Sequence, residues 1–258
     1  MNWQFINTGF NAGNYNMAFD LHLSKLCKSN EVFFRLYRWK PYCISLGMNQ
    51  NYDAININKT KLDNIDIAKR PTGGRAILHA EELTYSVVMP VTQNSSPKNI
   101  YQEINAALAL GLKLYDKSLS AVELESSQPN FRKLYKEKSS DVCFAVPAKS
   151  ELKYEGKKLV GSAQHRFGNI ILQHGSILCG DFHKKIADYL NTSDEDRQLI
   201  IKLLNQTADL YSITGKTVDY ELLSNSLIKG FESYYKITFF NSSHEDFSFI
   251  ENEFSYSS

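Results

Sequence analysis

Strand-like segments in this chain arrive in runs, and the helical segments fall between the runs. Glu31 to Trp39 (EVFFRLYRW) and Tyr42 to Met48 are rich in aromatic and β-branched residues, with Lys40-Pro41 as the turn between them. Ile65 to His79 reads as strand, tight loop, strand, and Glu82 to Met89 as another strand. Ala121 to Leu124 is a short strand. Lys149 to Gly161, Gly161 to Phe167 and Asn169 to Leu178 then follow as successive strands, with Gly156 and Gly168 marking hairpin turns. The pattern predicts an α+β fold with a mixed, largely antiparallel sheet.

The helices are predicted from caps and apolar period. Asn14 or Asn16 is the expected cap of a first helix running to about Lys28. Ser96-Pro97 supplies a cap followed by proline at the first helical position. Ile100, Ile104, Ala107, Leu108, Gly111 and Tyr115 form the stripe of that helix, and Gly111 is expected to pack closely against a sheet. Further helices are expected at 182–190, 193–205 and 219–235, the last capped by Asp219. Glu125 to Asp141 is a long polar, basic stretch without period, and loops of that length are usually functional or mobile. Residues 1–240 are read as one domain, and 241–258 as a polar tail that is disordered or docks at a sheet edge.

Composition narrows the function classes. Of the 258 residues, 43% are hydrophobic and 22% charged, enough apolar material for a core. The net charge of +1 argues against gripping nucleic acid through bulk charge. Cys27, Cys43, Cys143 and Cys179 contain no CxxC pair, so neither a disulfide framework nor a thiolate metal site is expected, and free thiols fit a reducing cytoplasm. The N-terminus has no signal-peptide pattern, and the densest apolar stretch, Ala106 to Leu112, is too short for a bilayer.

Three segments carry possible chemistry. In Arg70-Pro71-Thr72-Gly73-Gly74-Arg75, two glycines allow close backbone approach and flanking arginines add charge, which suits a carboxylate, phosphate or oxyanion. The same residues also suit a plain hairpin turn. Cys143 follows a basic stretch that would favour its thiolate, although a lone cysteine is more often a small buried hydrophobe. Lys157 and Lys158 precede a strand reaching Gly161, Ser162, Ala163 and Gln164, so one of them can point into a pocket and polarise a carbonyl. The other is expected at the surface. His79, His165 and His174 lack metal spacing and default to core or surface. Arg132, Lys133, Lys136 and Lys138 form either a solvated face or a dock for an acidic partner.

In this order the segments resemble the lipoate and biotin protein ligase superfamily, closest to the LipM-like octanoyl-carrier-protein:protein octanoyltransferases. The carriers are Trp3 to Gly9 with Asn16 to Asp20, Arg35 to Trp39 with Ser45 to Gln50, and above all Arg70 to His79. Glu82 to Val87, Cys143-Phe144 with Pro147, Lys158 to Gln164 and Gln173 to Ile177 complete the match, which reaches about residue 235. The resemblance implies a fold like that of class II aminoacyl-tRNA synthetases and biotin synthetase. It implies an acyltransferase in lipoate biosynthesis that needs no cofactor. Cys143 would take octanoate from octanoyl-acyl carrier protein as a thioester, and Lys158 would position the acyl carbonyl. Arg70, Gly73, Gly74, Arg75, His79, Gly161, Ser162 and Ala163 would line the acyl site. The acceptor would be a lysine of a lipoyl-domain protein, such as glycine cleavage H protein or a 2-oxo acid dehydrogenase acyltransferase subunit. Two stretches depart from the pattern: Ala80 stands where the family usually has an acid, and Ala145 and Ala148 stand in place of Asp and Ser of its Cys-Phe-Asp-x-Pro-Ser motif. The competing readings are an ATP-dependent lipoate–protein ligase, a lipoyl amidotransferase and a non-catalytic acyl- or carrier-binding protein. A biotin ligase doubling as a repressor is disfavoured, because no helix-turn-helix precedes the domain.

Overall fold

A computed structural model describes residues 1–92, 95–126 and 150–241. The large sheet contains β1 (Asn2–Asn11), β2 (Glu31–Trp39), β6 (Glu82–Pro90), β7 (Val122–Leu124), β8 (Leu152–Tyr154), β9 (Lys157–Phe167), β10 (Ile170–Leu178) and β11 (Phe240–Asn241). Its strand order is β11-β1-β2-β6-β10-β9-β8-β7. The β11–β1 and β1–β2 pairs are parallel and the others antiparallel, the mixed, largely antiparallel sheet expected. A smaller sheet is built from β3 (Cys43–Leu46), β4 (Asp66–Lys69) and β5 (Ile77–His79), in the order β4-β3-β5.

One face of the large sheet carries the main apolar core. Side chains alternate along a strand, and Leu83, Tyr85, Val87 and Met89 of β6 all point to that face. They meet the stripe Ile100, Ile104, Ala107, Leu108 and Leu112 of α3 (Pro97–Tyr115). Beyond it, α6 (Tyr220–Tyr235) adds Leu223, Leu227 and Phe231, with Phe231 stacked on Phe34 at 4.2 Å. Ser96 caps α3 by accepting from the Asn99 amide, and Asp219 caps α6. Gly111 does contact a neighbour closely, but that neighbour is α6 and not a sheet. A Cβ on Gly111 would lie 2.7 Å from Leu227 Cα, and one on Gly230 would lie 2.4 Å from the Gly111 amide nitrogen. Two glycines at the crossing let the helix backbones touch.

The opposite face is covered by α1 (Gly13–Leu26) and the smaller sheet. Neither Asn14 nor Asn16 caps α1. The helix opens at Gly13, whose amide donates to Asp66 Oδ2 of β4 at 2.8 Å, so the cap comes from a distant strand. Asn16 is buried inside the helix and donates to the Asn11 and Arg38 carbonyls. Farther along the chain, a 3₁₀ segment Phe182–Tyr189, α4 (Asp194–Leu204) and α5 (Leu210–Thr214) follow β10. Phe240 and Asn241, the first residue of the expected tail, add a parallel edge to β1, and residues 242–258 lie outside the described residues.

Candidate active site

The site is assembled on the face of β6, β10 and β9 turned away from α3. Directly opposed residues of neighbouring strands share a face. The register pairs Ala163 with His174 and Gly161 with Ser176, and it pairs His174 and Ser176 in turn with Ser86 and Thr84. Gly161 and Ala163 therefore stand beside Ser176 and His174 on that face, where neither projects more than a methyl group. Ser162 is turned the other way. Its hydroxyl bonds Tyr85 OH at 2.6 Å and Asn105 Oδ1 at 3.2 Å on the α3 side, and only its backbone reaches the site.

The loop Arg70 to Arg75, which joins β4 to β5, lies across that face. Thr72 Oγ1 sits 2.7 Å from His174 Nε2. Arg70 is buried, and burial pulls its pKa down to about 10, which leaves it charged at neutral pH. Its five N–H groups all find acceptors: Ser45 O and Oγ of β3 from Nη1, and within the loop Gly73 O from Nε and Nη2 and Arg75 O from Nη2. Arg70 thus shapes the loop with its donors and offers the cleft its field. Gly74 is exposed at φ +101°, in the region that favours glycine. A Cβ there would also lie 2.7 Å from Arg70 Nη2, and a Cβ on Gly47 would lie 2.0 Å from Gly74 O. The Gly73 and Gly74 amides meet no acceptor among the described residues. Arg75 is half-buried.

Of the two candidate lysines, Lys157 is exposed and Lys158 is buried. Lys158 Nζ lies 2.9 Å from Glu151 Oε2, and both side chains are almost fully enclosed. A buried ammonium requires such a partner, because an unpaired charge in a low-dielectric interior is costly. The second Glu151 oxygen accepts from the Ser162 amide at 2.9 Å, tying the ion pair to β9. Main-chain bonds from Lys158 to Gln206 and Ala208 hold the lysine from the other side. Cys143 and the basic residues Arg132, Lys133, Lys136 and Lys138 lie outside the described residues. Among the described residues, the Ser150 amide bonds Glu125 O and the Glu125 amide bonds Glu151 O.

Beneath the loop run two buried polar chains. Arg35 Nη1 pairs with Asp20 Oδ1 at 2.8 Å, and Asp20 Oδ2 faces Tyr37 OH at 3.0 Å and His174 Nδ1 at 3.2 Å. Burial alone would raise the Asp20 pKa, but Arg35 and His174 hold it below the carboxylate range. Burial pushes His174 down, which favours the neutral ring. In the second chain, Glu82 Oε1 meets His79 Nδ1 at 2.8 Å, and His79 Nε2 meets Ser45 Oγ at 2.7 Å. Burial opposes the Glu82 charge, yet His79, Thr84 and Ser176 together keep its pKa low. Trp39 stacks on the His79 ring at 4.1 Å and donates to Thr84 Oγ1. His79 is accordingly buried, linked to Arg70 of the loop through Ser45. His165 is half-buried against Phe167. Asp20, Glu82, Ser45 and Glu151 were not singled out by their sequence context as candidate groups. No group of three or more His, Cys, Asp or Glu suited to a metal occurs among the described residues.

The catalytic-domain profile described as lipoyl protein ligase A/B matches residues 12–232, most of the chain. The chain belongs to the lipoyl protein ligase A/B catalytic-domain family. Within that family it is 33% identical over 238 residues to octanoyltransferase LipM of Staphylococcus aureus, covering 89% of this chain and 86% of the relative. It is 31% identical over 245 residues to octanoyltransferase LipM of Clostridioides difficile, covering 92% and 88%. Among solved structures, a lipoate-protein ligase A bound with ATP superposes with a TM-score of 0.77 at 19% identity, covering 99% of this chain and 95% of the other. That superposition shows a shared fold, and the relatives of higher identity are octanoyltransferases.

Proposed function

We infer that this member of the family transfers an octanoyl group from octanoyl-acyl carrier protein to a lysine of a lipoyl-domain protein, through a thioester on Cys143. The observation that carries the reading is the buried Lys158–Glu151 ion pair on β9, the strand that also places Gly161 and Ala163 beside Ser176 and His174, in a chain whose relatives are octanoyltransferases. In the first step the Cys143 thiolate attacks the donor's thioester carbonyl, a new thioester forms, and the carrier thiolate leaves. In the second, the acceptor lysine amine attacks that thioester, the Cys143 thiolate leaves, and the amine gives up a proton. Thioester exchange is close to energy-neutral and thioester-to-amide transfer runs downhill, so neither step needs ATP. Lys158 orients the acyl carbonyl and favours the thiolate. The Gly73 and Gly74 amides and the charge of Arg70 favour the developing oxyanion, with Arg75 at the loop's end and His79 beneath it. Gly161 and Ala163 leave space for the chain, and the Ser162 backbone borders it. The acceptor class is a lipoyl-domain protein such as glycine cleavage H protein or a 2-oxo acid dehydrogenase acyltransferase subunit, and the setting is the reducing cytoplasm.

The test compares two adjacent lysines. Lys158→Ala is expected to slow both the loading of octanoate and its discharge onto a lipoyl domain by ~100-fold, on the scale of removing one oxyanion-stabilising donor. Lys157→Ala, at an exposed neighbour, is expected to match the unmodified enzyme. Equal rates for the two variants would remove Lys158 from the mechanism.

A further inference from the structure

We propose that Thr72 and His174 are positioning residues that latch the Gly73-Gly74 loop over the acyl cleft, anchored by the buried chain Arg35–Asp20–His174. The role in catalysis rests on the acyl-transfer reading above, whereas the latch itself stands on geometry. A Gly-Gly segment has the widest backbone freedom of any dipeptide, so a loop built on it needs an external anchor to hold one shape. Asp20 is immobilised by four donors: Arg35 and Ser86 on Oδ1, Tyr37 and His174 on Oδ2. With Nδ1–H given to Asp20, the imidazole presents the Nε2 lone pair to Thr72, whose hydroxyl donates at 2.7 Å. The Thr72 carbonyl is held separately by the Met48 amide at 2.9 Å. Thr72 is thereby fixed through both side chain and main chain immediately before the two glycines.

A second chain of the same composition reaches the loop two residues earlier. Glu82 and His79 orient Ser45, and Ser45 accepts from Arg70 through both Oγ and its carbonyl. Carboxylate, imidazole and hydroxyl in line is also the arrangement that activates a nucleophile. Here Ser45 and Thr72 are fully buried, and Ser45 Oγ is occupied by Arg70, so no substrate carbonyl reaches either hydroxyl. The same chemistry serves orientation.

The experiment compares Thr72→Val, which removes the hydroxyl at nearly constant shape, with Thr72→Ser, which keeps it. Two readouts are taken: amide hydrogen exchange of residues 70–76, and the single-turnover rate of octanoyl loading with its KM. Thr72→Val is expected to speed exchange in the loop and lower the loading rate ~10- to 100-fold, as a small misplacement of a reacting geometry does, with little change in KM. Thr72→Ser is expected to restore both. His174→Asn, whose amide can still reach Asp20 but not Thr72, serves as a second variant should Thr72→Val fail to fold, and is expected to behave like it. Unchanged loop exchange in a folded Thr72→Val or His174→Asn would overturn the latch. Faster exchange with an unchanged loading rate would overturn its role in the reaction. A wild-type protein that takes no octanoyl group would instead sink the acyl-transfer reading, and the exchange comparison would still decide the latch.

Discussion

The two faces of β6 are made by alternate residues of one nine-residue strand, yet they obey different rules. Leu83 and Val87 face α3 and α6, where the contacts are dispersive and tolerate exchange of one hydrophobe for another, and Tyr85 beside them adds hydrogen bonds to Ser162 and Gln173. Glu82, Thr84 and Ser86 face the loop, where each donor has a named acceptor. Stability on the first face comes from burial, worth about 1.5–3 kcal/mol for a large apolar side chain. On the second face, desolvation makes the charges costly unless they remain paired, and the return is a fixed geometry. The strands therefore carry a core on one side and a positioning device on the other.

The sharpest way to break this contrast is to remove one member of a polar chain. Arg35→Leu leaves the Asp20 carboxylate buried without its cation and is expected to cost ~3–5 kcal/mol, measured by denaturant unfolding. A much smaller loss would mean that the chain carries little of the fold. On the other face, Leu108→Ala is expected to cost ~2–5 kcal/mol through the cavity it leaves. Its octanoyl-loading rate per folded molecule should stay unchanged, and a reduced rate there would erase the distinction between the faces.

Acid should act on two buried histidines, His174 of β10 and His183 of the 3₁₀ segment, whose Nε2 meets Thr207 Oγ1 at 2.9 Å. Burial holds His183 down to about 4, against an ordinary value of 6.5, and pushes His174 in the same direction. Between those two values the unfolded chain binds a proton that the folded chain refuses. The stability from His183 is therefore complete above about pH 6.5 and is lost as the pH falls toward 4. At about 1.4 kcal/mol per unit, the loss is on the order of 3 kcal/mol. His183→Asn should flatten the slope of unfolding free energy against pH in that window, and an unaltered slope would refute the assignment. The smallest effect is expected at Ser162→Ala. Losing the bond to Tyr85 should cost ~1 kcal/mol and leave octanoyl loading intact, since the hydroxyl faces α3.

Local rules made most of the fold legible. Glu31 to Trp39 is a strand over its expected length, Ser96-Pro97 opens α3, and Gly156 and Gly168 turn their hairpins with positive φ. Each signal lies within a few residues of the element it sets. What local reading missed depends on distant partners. The cap of α1 is Asp66, in another strand, and Gly111 found α6 because its counterpart Gly230 lies on a separate helix. The site divides in the same way. The Gly73-Gly74 loop and the Lys157-Lys158 pair stood out by composition, and burial then distinguishes Lys158 from Lys157. Asp20 and His174 are 154 positions apart, and no period or motif announces a hydrogen bond across that gap. Glu151 lies in a short polar stretch before β8, and its role becomes visible only when the bulge in β8–β9 pairing and the Lys158 side chain are seen together.

The covalent intermediate is the central claim, and intact-mass measurement tests it most directly. The protein is mixed with octanoyl-acyl carrier protein, without ATP and without acceptor. The account predicts a mass increase of one octanoyl group, absent in Cys143→Ala and discharged when a lipoyl domain is added. No adduct, with lipoyl-domain modification appearing only on addition of ATP and free lipoate, would contradict it and make the chain a ligase.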